Sequence, residues 1–152
     1  MKSSTFQHKA RRFLAVLAAL AVLAAGSYLA ARWLHERAIE QRLRKYDPLI
    51  RTYAAQNNLP PELVRRMVRA ESGGRPDAVS PVGAQGLLQV MPITLREVRR
   101  RDSLPPGDLF DPEYNLRIGT RYLRMLLDDF HGEAYLALAA YHLGPAKVRR
   151  LL

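Results

Sequence analysis

The chain has 152 residues, a formal net charge of +10 and no cysteine. That length allows one domain with an appendage. Hydrophobic residues make up 48%, enough for a packed core and too many for a disordered chain. The missing Cys excludes disulfides, a Cys-ligated zinc, an iron–sulfur cluster, a thiol nucleophile and a cysteine-borne lipid. The four histidines, at 8, 35, 131 and 142, fall in no HExxH spacing, so no metal site is expected.

The charge is uneven. Residues 1–45 hold nine basic against two acidic side chains, a net +7, and residues 46–152 hold 15 against 12, a net +3. A nucleic-acid-binding domain carries its basic patch on the folded part. The one dense run there, Arg99-Arg100-Arg101, has no interleaved aromatics and reads as a solvated helix face. Nucleic acid is therefore not an expected partner.

Residues 13–31, FLAVLAALAVLAAGSYLAA, carry no charge. As a helix they span about 28 Å, close to a bilayer's hydrocarbon core. A cleaved signal peptide is one reading, with small residues at Ala24, Ala25 and Gly26. An uncleaved signal-anchor is the other, favoured because the run exceeds the usual ~7–15-residue signal core. Trp33 also stands where an interfacial aromatic sits. The expected layout is a basic cytoplasmic N-terminus over 1–12, a transmembrane anchor over 13–31 and a charged helical stalk over 32–45. A domain over 46–152 follows, outside the cytoplasmic membrane. Both flanks of the apolar run are basic, so the positive-inside count does not fix this orientation.

Past Pro48, apolar residues at 49, 50, 53 and 54 predict a helix that Asn57 and Asn58 end. Pro60 and Pro61 suit the first turn of a helix over 61–72, broken by Gly73, Gly74 and Pro76. Residues 80–92 mix Gly and Pro with a short apolar run and predict a tight loop leading into a short helix. A basic helix is expected over 93–102, then a loop. A long helix over 112–130 follows, with Asp111 as cap and Pro112 at its first position. An apolar helix covers 133–142 until Gly144-Pro145. No stretch alternates with period two, so the expected fold class is all-α.

Glu71 lies four residues after Met67, eight after Leu63 and three after Val68. It falls on the apolar stripe of its helix, at the end where the helix dipole disfavours negative charge. Desolvation and dipole both raise a carboxyl's pKa, and a carboxyl kept protonated near neutral pH can act as a general acid. The alternative is that Glu71 turns to solvent as the helix ends.

The segment from Glu71-Ser72 to Pro92, ESGGRPDAVSPVGAQGLLQVMP, closely resembles the signature of the SLT-type lytic transglycosylases. In that family a Glu-Ser pair is followed by Ser, Gly-x-x-Gly-Leu-Met-Gln and Met-Pro. Here these positions are Ser80, Gly83, Gly86, Leu87, Leu88, Gln89, Met91 and Pro92. A second block matches at Asp111, Pro112, Asn115, Leu116, Gly119, Tyr122 and Leu123, and a third at Ala140-Tyr141-His142-Leu143-Gly144-Pro145. Three blocks in order span roughly residues 46–150.

The resemblance implies a lysozyme-like, mostly helical domain with a groove for peptidoglycan glycan strands. It implies that Glu71 is the catalytic acid, that Ser80, Gln89 and Met91 line the groove, and that Tyr141 lies near the Glu71 carboxyl. It implies a non-hydrolytic reaction without metal or cofactor. One carboxyl protonates the oxygen between N-acetylmuramic acid and N-acetylglucosamine, then deprotonates the muramoyl C6 hydroxyl to give a 1,6-anhydro end.

Gln89 is expected to hydrogen-bond an acetamido group through both ends of its amide. Ser80 would stabilise charge or fix a sugar hydroxyl. Tyr141 would hydrogen-bond Glu71, or pack as a core aromatic. Gly83 and Gly86 would allow close approach or positive φ. Leu88 and Met91 would wall off Glu71, or pack in the core. Most glycosidases use two carboxyls, for which Asp77 and Asp111 are candidates, although they read first as a loop carboxylate and a helix cap.

Three positions depart from the family pattern. Leu88 replaces a common Met, His142 an Asn and Leu143 an Ala. A histidine adds a group that changes charge between pH 5 and 8; a surface role ranks ahead of a second catalytic base. Many relatives continue with further helices, so one side of the groove is expected to be shallow or supplied by a cell-wall machinery partner. A hydrolytic muramidase and a non-catalytic glycan-binding scaffold remain alternatives.

Overall fold

The computed structural model describes the backbone of residues 3–152 and the side chains from Leu14 onward, except residues 15, 16 and 18. The expected cytoplasmic segment 1–12 lies outside the described side chains, as does part of the apolar run 13–31. Among the described residues, six helices follow in order: α1 (Ser3–Gln56), α2 (Pro61–Ser72), α3 (Pro92–Asp102), α4 (Pro112–Asp129), α5 (Ala134–Leu143) and α6 (Pro145–Arg149). The chain divides into two units, Met1–Glu40 and Gln41–Leu152.

In the first unit the described apolar side chains up to Leu34, among them Leu20, Val22, Leu23 and Leu29, are exposed. The Arg37 guanidinium stacks 4.0 Å from the centroid of the Trp33 ring, a cation–π contact. Among the described residues no helix is long and apolar enough to cross a membrane.

In the second unit α1 continues through Pro48. Proline inside a helix costs about 3 kcal/mol. The buried Leu43 and Tyr46 ahead of it, and Ile50 and Ala54 after it, anchor both sides in the core and offset that cost. Tyr53 donates to Glu113 Oε1 at 2.6 Å. Burial and the adjacent Glu113 push this phenol up to about 12.

The core centres on α4, which buries ten residues including Leu116, Ile118, Leu123 and Leu126 and packs against α3 and α5. Its start is fixed by Asp111, whose carboxylate accepts from Tyr114 N at 2.7 Å. This is an N-cap, worth about 1 kcal/mol. The helices over 61–72, 93–102, 112–130 and 133–142 stand within a residue or two of their expected bounds, because Pro and Gly punctuate them.

The segment 80–92 differs from expectation. It forms turns joined by two isolated bridges, Val79–Gln85 and Gln85–Val90, and the short helix is absent. Gly83, Gly86 and Gln89 all adopt positive φ, which a right-handed helix excludes.

Candidate active site

Glu71 occupies the last turn of α2, and the chain fixes that turn closely. Gly73 ends the helix in the left-handed region at φ 60°, its N–H donating to Arg69 O. Ser72 is buried. Its hydroxyl donates to Val68 O and accepts from Gly74 N, each at 3.2 Å. Arg42 Nε donates to Gly73 O at 2.8 Å. Ser72 of the Glu-Ser pair thus works on the helix end, and the aim of Glu71 follows from it.

Glu71, Ser80, Gln89, Met91 and Tyr141 line one cleft of about 200 Å³, together with Val82, Ala84 and His142. All five candidates therefore meet. Asp77 and Asp111 are not among the lining residues. Asp77 is exposed and Asp111 caps α4. Among the described residues that line the cleft, Glu71 is the sole carboxylate.

The Glu71 side chain is 23% exposed. Burial raises its pKa above the ordinary glutamate value, and the nearby His142 charge pulls it partly back. His142 Nδ1 stands 4.0 Å from Glu71 Oε1 on a side chain that is 74% exposed.

The polar neighbours differ in detail from the sequence reading. Gln89 holds φ +47°, and its Nε2 donates to Ala78 O at 3.1 Å and Gly86 O at 3.0 Å. Both amide protons hold the loop together, so the carbonyl oxygen is the end left to face a ligand. Ser80 Oγ accepts from Ala84 N at 3.0 Å, which leaves its proton free to donate into the cleft. Tyr141 donates to Leu88 O at 2.9 Å and does not donate to Glu71. Burial, and after it the Glu71 charge, push the Tyr141 phenol far up, so it stays neutral.

Leu88 is fully buried and is not a cleft residue. The apolar lining of the cleft comes from Met91, Val82 and Ala84 instead.

Two residues without an assigned role prove central. Asn115 on α4 is fully buried. Its Oδ1 accepts from Leu88 N at 2.8 Å, and its Nδ2 donates to Gln85 O at 2.9 Å and Leu109 O at 2.8 Å. It fixes the loop that carries Gln89. A Cβ on Gly119 would lie 2.6 Å from Leu88 Cδ1 and 2.9 Å from the Tyr141 hydroxyl. Glycine at 119 therefore lets α5 and the loop approach α4. Their place in the second motif block was the signal in sequence. A Cβ on Gly83 would meet only open space, so its φ of +86° is what favours glycine there.

A second cleft, of about 260 Å³, includes Asp102, Arg117 and Arg121 and shares no residue with the first. Arg121 Nη2 donates to Asp102 Oδ1 at 2.8 Å. That hydrogen bond lowers the Asp102 pKa and commits the carboxylate to the guanidinium.

Residues 48–152 match the family described as transglycosylase SLT domain. The chain belongs to this family. It is similar to the soluble lytic murein transglycosylase of Escherichia coli K12, with 38% identity over 111 residues, covering 70% of this chain and 17% of that protein. It is also similar to membrane-bound lytic murein transglycosylase C of Actinobacillus pleuropneumoniae serotype 5b. There the identity is 34%, over 74% of this chain and 34% of that protein. Among solved structures, the 70-kDa soluble lytic transglycosylase from Escherichia coli aligns with a TM-score of 0.65 and 36% identity, over 69% of this chain and 18% of that one. An inactive mutant of lytic transglycosylase Slt from Pseudomonas aeruginosa aligns with a TM-score of 0.64 and 35% identity, over 67% of this chain and 17% of that one. This SLT-domain chain thus spans about a sixth to a third of the length of these relatives.

Proposed function

We propose that this chain is a peptidoglycan lytic transglycosylase that cleaves the bond between N-acetylmuramic acid and N-acetylglucosamine without water. Glu71 is its single acid and base. The observation that carries the reading is a half-buried glutamate, raised in pKa by burial, as the sole carboxylate among the described cleft residues. The names of the relatives, lytic murein transglycosylases, support the same chemistry.

Protonated Glu71 donates to the glycosidic oxygen, and the leaving sugar departs. The carboxylate then removes the proton from the muramoyl C6 hydroxyl, which closes onto C1. Atoms balance: the proton returns to Glu71, and the product is a 1,6-anhydro ring. An attacking group within the substrate gains effective molarity, so no second carboxylate is required to hold a water. Ser80 donates to a sugar oxygen. Gln89 Oε1 accepts from an acetamido N–H. Met91 and Val82 contact the apolar face of a ring. Tyr141 positions the Leu88–Gln89 backbone.

Residues 13–31 anchor the chain in the cytoplasmic membrane, with the catalytic unit Gln41–Leu152 outside it and residues 32–40 as a stalk. The uncharged run and the exposed apolar side chains along it support this. The relatives include both soluble and membrane-bound enzymes, so the site of action follows from the anchor. Extraction of membranes with alkaline carbonate tests it: the full chain should stay in the pellet, and release would overturn the anchor.

The catalytic reading is tested by incubating the full chain with isolated peptidoglycan and weighing the soluble fragments. Anhydro products, about 18 Da lighter than hydrolytic ones by one water, are expected and should vanish with Glu71→Gln. Reducing ends would make it a hydrolytic muramidase. Glycan binding without products would make it a scaffold.

A further inference from the structure

We propose that His142 is a positioning residue for Glu71: protonated, it forms an ion pair across the mouth of the cleft that favours the ionised carboxylate. This rests on the reading of Glu71 as the acid and adds a control on it.

The geometry supports the pair. His142 Nδ1 lies 4.0 Å from Glu71 Oε1. His142 also sits in the last turn of α5, where the helix dipole favours a cation. Its side chain is mostly in solvent while Glu71 is mostly covered. An imidazolium there faces a carboxyl that is mostly covered.

The other groups facing Glu71 do not compete. Tyr141, also on α5, is neutral and donates to Leu88 O. Ser80 and Gln89, from the loop, are uncharged, and Val82, Ala84 and Met91 are apolar. His142 is the sole basic group among the described residues that line the cleft.

The consequence follows in sign. The reaction begins with protonated Glu71. An imidazolium favours the carboxylate, so it depletes that form. It also makes Glu71 a stronger acid and a weaker base in the second step. The effect exists only while the histidine is charged. An asparagine in its place, the residue usual in the family, removes the charge and keeps a polar group.

The experiment is a carbon-13 titration of the Glu71 carboxyl in the full chain, with His142→Asn and His142→Lys beside wild type. Turnover of isolated peptidoglycan is measured in parallel. His142→Asn should move the Glu71 midpoint up, and His142→Lys should hold it down at every pH. Both differences should shrink in 1 M salt, where the screening length is about 3 Å. In kcat/KM, His142→Asn should raise the rate about two- to fivefold, the scale of an exposed ion pair, where the histidine is charged while Glu71 ionises, and should meet wild type at higher pH. Identical midpoints in the three proteins would overturn the proposal. Midpoints that move while wild type leaves peptidoglycan uncut would sustain the ion pair and remove Glu71 from catalysis. Turnover with unmoved midpoints would remove the ion pair alone.

Discussion

Asn115 fills the space that a side chain at Gly86 would need. A Cβ on Gly86 would stand 2.2 Å from Asn115 Nδ2 and 2.3 Å from Leu109 O. The same amide nitrogen donates to Leu109 O and Gln85 O. The glycine of the loop and the asparagine of α4 are thus one device that brings the Gln89 turn onto the central helix.

Gly86→Ala should be strongly destabilising. Its φ is +76°, where an L-residue costs about 1–2 kcal/mol, and overpacking against Asn115 adds about 1–3 kcal/mol. Urea unfolding of the variant should show a lower midpoint with a similar slope. An unchanged midpoint would mean that the loop relaxes at no cost.

Glu71→Gln should lower turnover by at least about 10²–10⁴-fold, the usual contribution of a general acid, while glycan binding persists. It should also change stability with a defined sign. Burial raises the Glu71 pKa in the folded chain, so the folded state binds more protons than the unfolded one. Stability from this group is fullest below the ordinary glutamate value and declines as pH rises through the folded value. The melting temperature of Glu71→Gln relative to wild type should therefore climb across that window. A flat difference would contradict a desolvated carboxyl.

Tyr141→Phe separates two uses of a phenol. The hydroxyl donates to Leu88 O, so its loss should cost about 1 kcal/mol of stability. The alkaline limb set by Glu71 should stay in place, because no proton of Tyr141 is given to that carboxylate. A limb that moves upward would show that the hydroxyl bonds Glu71 once a glycan is bound.

Gln89→Glu exchanges a double donor for a carboxylate facing the carbonyls of Ala78 and Gly86. Two acceptors would lose their donor and meet a negative charge. The variant should lose about 2 kcal/mol or more, and acid should restore part of that loss by neutralising the new carboxyl. Thermal melts at two pH values check this. Equal loss at both would assign the effect to the missing amide donor rather than to the charge.

Much of this molecule is legible in its sequence. Pro61 and Gly73 bound α2, Asp111 and Pro112 open α4, and Glu71 on the apolar stripe of α2 faces the cleft. Each is a local property, set by backbone preferences and helical spacing within a few residues. The segment 80–92 departs from its expected form because one of its left-handed residues is Gln89, a residue type that gives no sign of such a turn.

The remainder was decided by contacts between residues far apart in the chain. Leu88 is a core residue because α4 presents Gly119 beneath it. Tyr141 donates to Leu88 O, 53 positions away, and Asn115 bonds Leu88 and Gln85 of one loop, 27 and 30 positions away. Periodicity reports which face of a helix is buried, and so the sequence determined the helices and the candidate acid. Which buried polar group pairs with which depends on side chains that meet only after the helices pack, and so the hydrogen bonds around Glu71 belonged to the tertiary structure.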